Sequence, residues 1–261
     1  MPDTPILVHE AENQATVITL NRPEASNSLN RGLLCAIESA VGQISTSREI
    51  RCLIITGQGE KTFCAGADLK ERRGMDDAQT HRFILKLNAV FTMIRHLPIP
   101  VIAAINGAAL GGGLELALAA DIRIAADHAV MGLPETLLGI IPGGGGTQRL
   151  PRLIGEAAAK ELIFTGRRVD ARQALNLGLV NRVTSIQDLM PQCLDMAGMI
   201  VQTAPVAVEM AKYAINLGMQ TDLDTGLAIE SNAYRVTIPT EDRREALAAF
   251  KEKRPPRFQG K

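Results

Sequence analysis

Pro100–Asp121 reads PVIAAINGAALGGGLELALAAD, and the rest of the chain is organised around it. Val101–Ile105 is an apolar run of strand length, which Asn106-Gly107 ends with turn chemistry. Gly111-Gly112-Gly113 then opens Leu114–Ala120, built almost wholly of strong helix formers. A strand, a glycine turn and a helix start place bare backbone N–H groups at the positive end of a helix. Glycine lets a ligand approach that backbone closely, because no Cβ intervenes. Glu115 is the one charged residue of this apolar helix, one turn or roughly 4–5 Å along the axis from Gly112. Such a carboxylate can move protons beside a site that stabilises an anion. The same features also suit a plainer purpose, with glycines for close helix–sheet packing and a glutamate answering the helix dipole.

Composition narrows the choices. At 261 residues and 46% hydrophobic, the chain can bury a sizeable core without disulfides or a structural metal. Lys+Arg and Asp+Glu both total 28, which argues against a nucleic acid held by bulk charge. With no Trp, two Tyr and six Phe, base-stacking platforms are not expected either. Cys35, Cys52, Cys64 and Cys193 show no C-x-x-C spacing and read as reduced, buried thiols of a cytoplasmic protein. Cys64 is weighed as a nucleophile and set below its packing role. His9, His81, His96 and His128 are scattered, so no metal site is expected. The N-terminus carries no targeting pattern, and glycines and Glu115 interrupt Pro100–Ala120 too often for a membrane span.

Outward from the centre, apolar periodicity predicts strands at Ala15–Leu20, Ile50–Thr56, Asp121–Ala126, Ala129–Leu133 and Leu179–Val183. It predicts helices at Leu29–Ile44 (capped by Ser28 or Asn27), Asp76–His96, Gly155–Thr165 and Asp170–Leu177. Lys61–Lys70 reads as a loop of small residues whose N–H groups can form an anion-holding concavity. Glu135 sits at a strand-to-helix corner, and Ile141–Arg149 is glycine-rich. Helices then follow at Gln192–Thr203, Pro205–Gly218, Asp222–Arg235 and Thr240–Lys251. The chain therefore divides into residues 1–195, an α/β region of repeated strand–strand–helix units, and a helical end, 196–261.

No phosphate-binding Lys follows IPGGGGTQR, no dinucleotide fingerprint appears, and G-x-S-x-G is missing. What remains is a pair of carboxylates and two loops rich in small residues. FCAGADLKE (Phe63–Glu71), INGAALGGGLELALAADIRIA (Ile105–Ala125), PETLLGIIPGGGGTQRLPRLIG (Pro134–Gly155) and AFKEKRPPRF (Ala249–Phe258) resemble the enoyl-CoA hydratase/isomerase, or crotonase, family. The resemblance covers essentially the whole chain. Within the family it is similar to the methylglutaconyl-CoA hydratases that also bind AU-rich RNA.

The resemblance implies a crotonase-like α/β spiral of ββα turns and a helical C-terminal region used for trimerisation, often into a hexamer of two trimers. It implies a thioester substrate whose coenzyme A is part of the substrate, with no separate cofactor. Matched position by position, the oxyanion-hole donors fall on the N–H groups of Ala67 and Gly112. The catalytic glutamates fall on Glu115 and Glu135, with their acid and base roles left open. Coenzyme contacts fall on Ala65, Ala67, Asp68, Leu69 and Lys70. Gly143 matches a donor near the catalytic water, and Phe250 and Lys253 match positions that reach the coenzyme from a neighbouring subunit. Keeping both glutamates favours a hydratase of fatty-acid or branched-chain amino-acid degradation over an enoyl-CoA isomerase. Methylglutaconyl-CoA hydratase is the alternative, and its acidic acyl group would want a cation, for which Arg72 and Arg73 are candidates. The RNA-binding relatives carry a lysine-studded helix, whereas Asn27–Arg51 holds no lysine and sets Arg31, Arg48 and Arg51 against Glu38 and Glu49.

Overall fold

The computed structural model describes residues 4–11 and 14–261. β1 (Ile6–Ala11) and β2 (Ala15–Leu20) pair antiparallel, and α1 (Arg31–Thr46) follows. The next turn of chain is β3 (Cys52–Gly57), β4 (Thr62–Cys64), the short α2 (Leu69–Arg72) and the long α3 (Asp77–Arg95). The third is β5 (Val101–Ile105), β6 (Ala108–Leu110) and α4 (Gly112–Ala119). The fourth is β7 (Ile122–Ala126), β8 (Val130–Gly132), α5 (Gly146–Ile154) and α6 (Glu156–Thr165). β9 (Val169–Asp170), α7 (Ala171–Asn176) and β10 (Arg182–Thr184) then lead to the closing helices. These are α8 (Ile186–Val201), α9 (Pro205–Gly218), α10 (Leu223–Thr237) and α11 (Glu241–Glu252).

One sheet runs β1-β2-β3-β5-β7-β10 and the other β4-β6-β8-β9. The three middle turns each give one strand to each sheet and then a helix, which makes a spiral of ββα units. The corner between the sheets is tied by Asn106. Its Oδ1 accepts from Gly57 N at 3.0 Å, and its Nδ2 donates to the Gly57 and Gly59 carbonyls at 2.8 and 2.6 Å. In the large sheet, alternate residues face opposite ways. Val17, Ile54, Ile102 and Ile124 meet Leu189, Cys193 and Ala197, a stripe of α8 spaced by four. Ile18, Leu53, Ile55, Val101 and Ile105 join the main core with α1, α3 and α4. Strands covered on both faces are why these segments read as continuous apolar runs. Each full burial of a Leu or Ile is worth about 1.5–3 kcal/mol.

Several elements depart from the sequence reading. The first helix begins at Arg31, and Asn30 caps it by accepting from Leu33 N at 2.8 Å. Asn27 instead lies at φ 52, its amide donating to the Gln58 and Thr62 carbonyls. Lys61–Lys70 is not loop throughout, since it contains β4 and the start of α2. β1 goes unpredicted because four of its six residues are exposed at the sheet edge, leaving little apolar signal. The last strand pairs with β7 from Arg182 rather than Leu179, because Leu179 and Val180 close α7 into the core. The glycine-rich tract becomes helical at Gly146. α8 begins at Ile186, capped by Ser185, and carries Pro191 inside it, so residues 195 and 196 fall within one helix. Cys35 is exposed; Cys52, Cys64 and Cys193 are buried.

Candidate active site

Two short approaches of backbone to backbone set the site. Gly113 lies so close to β4 that a Cβ there would stand 2.0 Å from the Cys64 carbonyl oxygen. Gly111, the residue before α4, has φ +53 and so needs glycine's freedom. Its N–H donates to the Gly132 carbonyl at 2.9 Å, which fixes the helix start on β8. Gly112 is the first residue of α4, where N–H groups have no intrahelical acceptor. Opposite it, Ala67 forms an isolated parallel bridge with Leu29. Leu29 N donates to Gly66 O at 2.7 Å and Asp68 N to Leu29 O at 2.9 Å. That pattern uses the flanking groups and turns the Ala67 N–H to the other side. A Cβ on Gly112 would sit 3.7 Å from Ala67 N, so bare glycine leaves the space between the two donors open.

Glu115 is 2% exposed, and its Oε1 accepts from Gly144 N at 2.8 Å and Gly146 N at 2.7 Å. Burial raises its pKa, against the lowering pull of those N–H groups and the Arg149 charge. Arg149 holds the same loop, its Nη1 donating to Gly144 O at 2.6 Å. Glu135 begins a 3-10 turn, separated from β8 by Leu133 and Pro134, and is also buried. Its Oε1 lies 3.0 Å from where a Cβ on Gly111 would sit, beside the start of α4. Among the described residues its Oε2 is buried with no hydrogen-bond partner. Burial, opposed by its own backbone N–H and helped by the Glu115 charge, pushes Glu135 up to about 7. Both carboxylates line one cavity of about 100 Å³ together with Ala67 and Gly112. Apolar walls come from Leu69, Ile84, Leu87, Leu138, Ile140 and Ile141. Two buried carboxyl groups and unused N–H donors at one apolar cavity can add or remove protons next to a carbonyl that gains negative charge.

Of the residues singled out from sequence, Ala65, Ala67, Leu69, Arg72, Gly112, Glu115, Glu135 and Gly143 line this cavity, while Arg73 is exposed and outside it. Asp68 instead caps α2, accepting from Lys70 N and Glu71 N, and pairs with Arg22 at 2.9 Å. The Arg22 hydrogen bond and the two helix N–H groups outweigh burial and hold Asp68 below the usual carboxylate range. Lys70 is exposed and outside the lining. Phe250 and Lys253 lie at the far end of α11, exposed and away from the cavity of their own chain. Burial pushes the Cys64 thiol up to about 12, which removes it as a nucleophile. Sequence reasoning missed the amides of Gly144 and Gly146 and the guanidinium of Arg149 as the holders of Glu115. The run of four glycines was the available signal. Among the described residues, no group of His, Cys, Asp and Glu could hold a metal ion, and no helix is long and apolar enough to cross a membrane.

Because Glu135 binds its proton more tightly folded than unfolded, its contribution to stability is full below pH 4.5 and is lost as pH rises through about 7. The Tm of Glu135→Gln relative to the parent is therefore expected to rise between pH 5 and pH 8. A gap that stays constant, read by thermal melts at both pH values, contradicts the buried-acid assignment.

Residues 10–261 match the family model described as enoyl-CoA hydratase/isomerase. The human mitochondrial methylglutaconyl-CoA hydratase is 50% identical over 96% of this chain and 76% of that protein. The short-chain-enoyl-CoA hydratase of Clostridium acetobutylicum is 48% identical over 95% of each chain. A crystal structure of an enoyl-CoA hydratase from Bacillus anthracis, 50% identical, superposes with a TM-score of 0.97 over 98% of this chain and 100% of that one.

Proposed function

The chain belongs to the enoyl-CoA hydratase/isomerase family, and on that premise we propose that it adds water reversibly to 2,3-trans-enoyl-CoA thioesters. The observation that carries this reading is the pair Glu115 and Glu135, both buried on one cavity beside the Ala67 and Gly112 donors. The thioester oxygen sits against those two N–H groups. As the water oxygen bonds to C3, the C2–C3 π pair moves toward C1 and its oxygen gains charge. Each well-aimed donor is worth about 3–4 kcal/mol at that stage. One carboxylate takes the water's proton and the other delivers a proton to C2, giving the 3-hydroxyacyl-CoA. The pair titrates as a unit, so one shared proton suits both halves of the task.

The same reading makes coenzyme A part of the substrate, with no further cofactor, and places its adenine and pantetheine along Ala65–Lys70. It describes a cytoplasmic enzyme working as a homotrimer or as a hexamer of two trimers, in which α11 meets a neighbouring site. Phe250 at 86%, Leu223 at 76% and Met219 at 75% exposure support an apolar surface on the closing helices that a neighbour covers. Steady-state hydration of crotonyl-CoA, a long-chain enoyl-CoA and 3-methylglutaconyl-CoA tests the activity. We expect turnover on at least one of them, followed as loss of enoyl-thioester absorbance. No hydration of any would overturn the proposal.

A further inference from the structure

Taking the hydratase reading above as given, we infer that Arg22 is a positioning residue for the first oxyanion donor, keeping the Ala67 N–H on its aim through Asp68 and Leu29. The two donors are not held alike. Gly112 belongs to α4, whose start is fixed by Gly111 N on the Gly132 carbonyl and by Gly113 against β4. Ala67 lies between β4 and α2, in neither, and pairs across one residue, Leu29. Two backbone bonds make that bridge, Leu29 N to Gly66 O and Asp68 N to Leu29 O. A one-residue bridge has no ladder on either side to keep its register, so the aim of the Ala67 N–H needs a further hold.

Arg22 supplies it. The residue stands in the turn after β2, and its own backbone is tied down: its N–H donates to Asn27 Oδ1 at 3.0 Å and its carbonyl accepts from Asn27 N at 2.8 Å. Asn27 is buried, and its amide donates in turn to the Gln58 and Thr62 carbonyls. From this base the guanidinium reaches both strands of the bridge. Nη1 donates to the carbonyl of Ser28, beside Leu29, at 2.5 Å, and Nη2 to Oδ2 of Asp68, beside Ala67, at 2.9 Å. The planar fork of an arginine can span two acceptors in this way, whereas a lysine ammonium is a point charge on a flexible stem. The other oxygen of Asp68, Oδ1, accepts from Lys70 N and Glu71 N and so starts α2. One carboxylate therefore couples the charged tie to the helix that follows the donor. Both side chains are largely withdrawn from water, at 18% and 12% exposure. Against the cost of burial, the Arg22 hydrogen bond and the two helix N–H groups keep Asp68 ionised. Neither Arg22 nor Asp68 lines the cavity, so the pair can bear on the thioester oxygen through the Ala67 N–H. Asp68, matched from sequence to a coenzyme contact, is thereby given a different task.

In Arg22→Gln, kcat for crotonyl-CoA is expected to fall about 10- to 100-fold, the scale of an oxyanion donor moved off its line rather than removed. KM and the dissociation constant of free coenzyme A should stay within about 3-fold, because the lost interaction strengthens only as charge develops on the oxygen. Asp68→Asn keeps an acceptor for Lys70 N and Glu71 N, so α2 should persist, yet kcat should fall by a similar factor. The double variant should lose no more than either single one, as expected of two groups that act as one tie. Arg22→Lys, which cannot span both acceptors, should recover part of the rate. A direct readout uses butyryl-CoA, which has no double bond to hydrate. Its thioester C=O stretch, followed by isotope-edited infrared spectroscopy, should fall on binding to the parent and fall less in Arg22→Gln. Losses confined to KM or to coenzyme A affinity would make Arg22 a coenzyme contact and overturn the inference. So would additive losses in the double variant, or a lower Tm with parental kcat. If the parent protein hydrates nothing, the hydratase reading fails. A butyryl-CoA carbonyl shift that Arg22→Gln weakens would still sustain the tie, and an equal shift in both proteins, or none, would overturn it.

Discussion

Replacing Glu115 or Glu135 by glutamine is expected to lower kcat/KM for enoyl-CoA hydration by about 10²- to 10⁴-fold, the range of a lost general acid or base. Glutamine keeps the volume of each side chain and removes only its capacity to exchange a proton. At position 115 the amide oxygen can still accept from Gly144 N and Gly146 N, so the loop that Arg149 also holds should keep its place. At position 135 the change removes a buried acid whose Oε2 has no partner among the described residues. The fold should therefore survive both substitutions, and far-UV circular dichroism with a thermal melt checks that. A variant that keeps near-parental kcat/KM would show that the two acids do not share the chemistry. A loss of activity that tracks a loss of folded protein would leave the same carboxylates as packing residues.

The central stretch was legible because its three signals agree. An apolar strand, an Asn-Gly turn and a glycine-opened helix each point to one local structure, and β5, the Asn106 corner and α4 follow that order. The long helices were equally plain from their apolar spacing, as in α3 with Phe83, Leu87, Val90, Phe91 and Ile94 buried. The second sheet was much harder to see. Ala129–Leu133 reads as a strand and holds β8, but β4 and β6 are three residues each, too short for a period of two to declare itself. Their places are fixed by close backbone approaches, such as Gly113 on Cys64, that only the folded chain reveals. The same holds for the site. Glu115 stood out as the lone charge in an apolar helix, but nothing local distinguishes Glu135 from any glutamate at a turn. That Gly144 and Gly146, some thirty residues downstream, hold the Glu115 carboxylate is a long-range fact. Arg72 and Arg73 are alike as sequence, and only the cavity separates them.

Adjacent glycines in the same triplet should respond to alanine in opposite ways. At Gly113 a Cβ would stand 2.0 Å from the Cys64 carbonyl oxygen and 2.7 Å from its carbon, both backbone atoms of β4 that are held in the small sheet. Relief requires α4 to lift off the strand, which disturbs the buried Leu114 and Leu116 that pack around it. Gly113→Ala is thus expected to cost more than about 4 kcal/mol, seen as a Tm lowered by roughly 10 °C or as failure to accumulate folded protein. At Gly112 the nearest atom to a Cβ is Leu29 Cδ1 at 3.1 Å, the far end of a side chain that can move by a few tenths of an ångström. Alanine also suits the first turn of a helix better than glycine. Gly112→Ala should therefore melt within a few degrees of the parent, yet its methyl group enters the space beside Ala67 N, 3.7 Å away, where the thioester oxygen would lie. Loss of about 10²-fold in kcat/KM is expected there, comparable to removing one oxyanion donor. Parental stability in Gly113→Ala would refute the tight contact between helix and strand, and parental activity in Gly112→Ala would refute the cradle. Both measurements need only melts and initial rates. The two outcomes are independent, because one substitution meets the backbone of β4 and the other meets the open space beside Ala67 N.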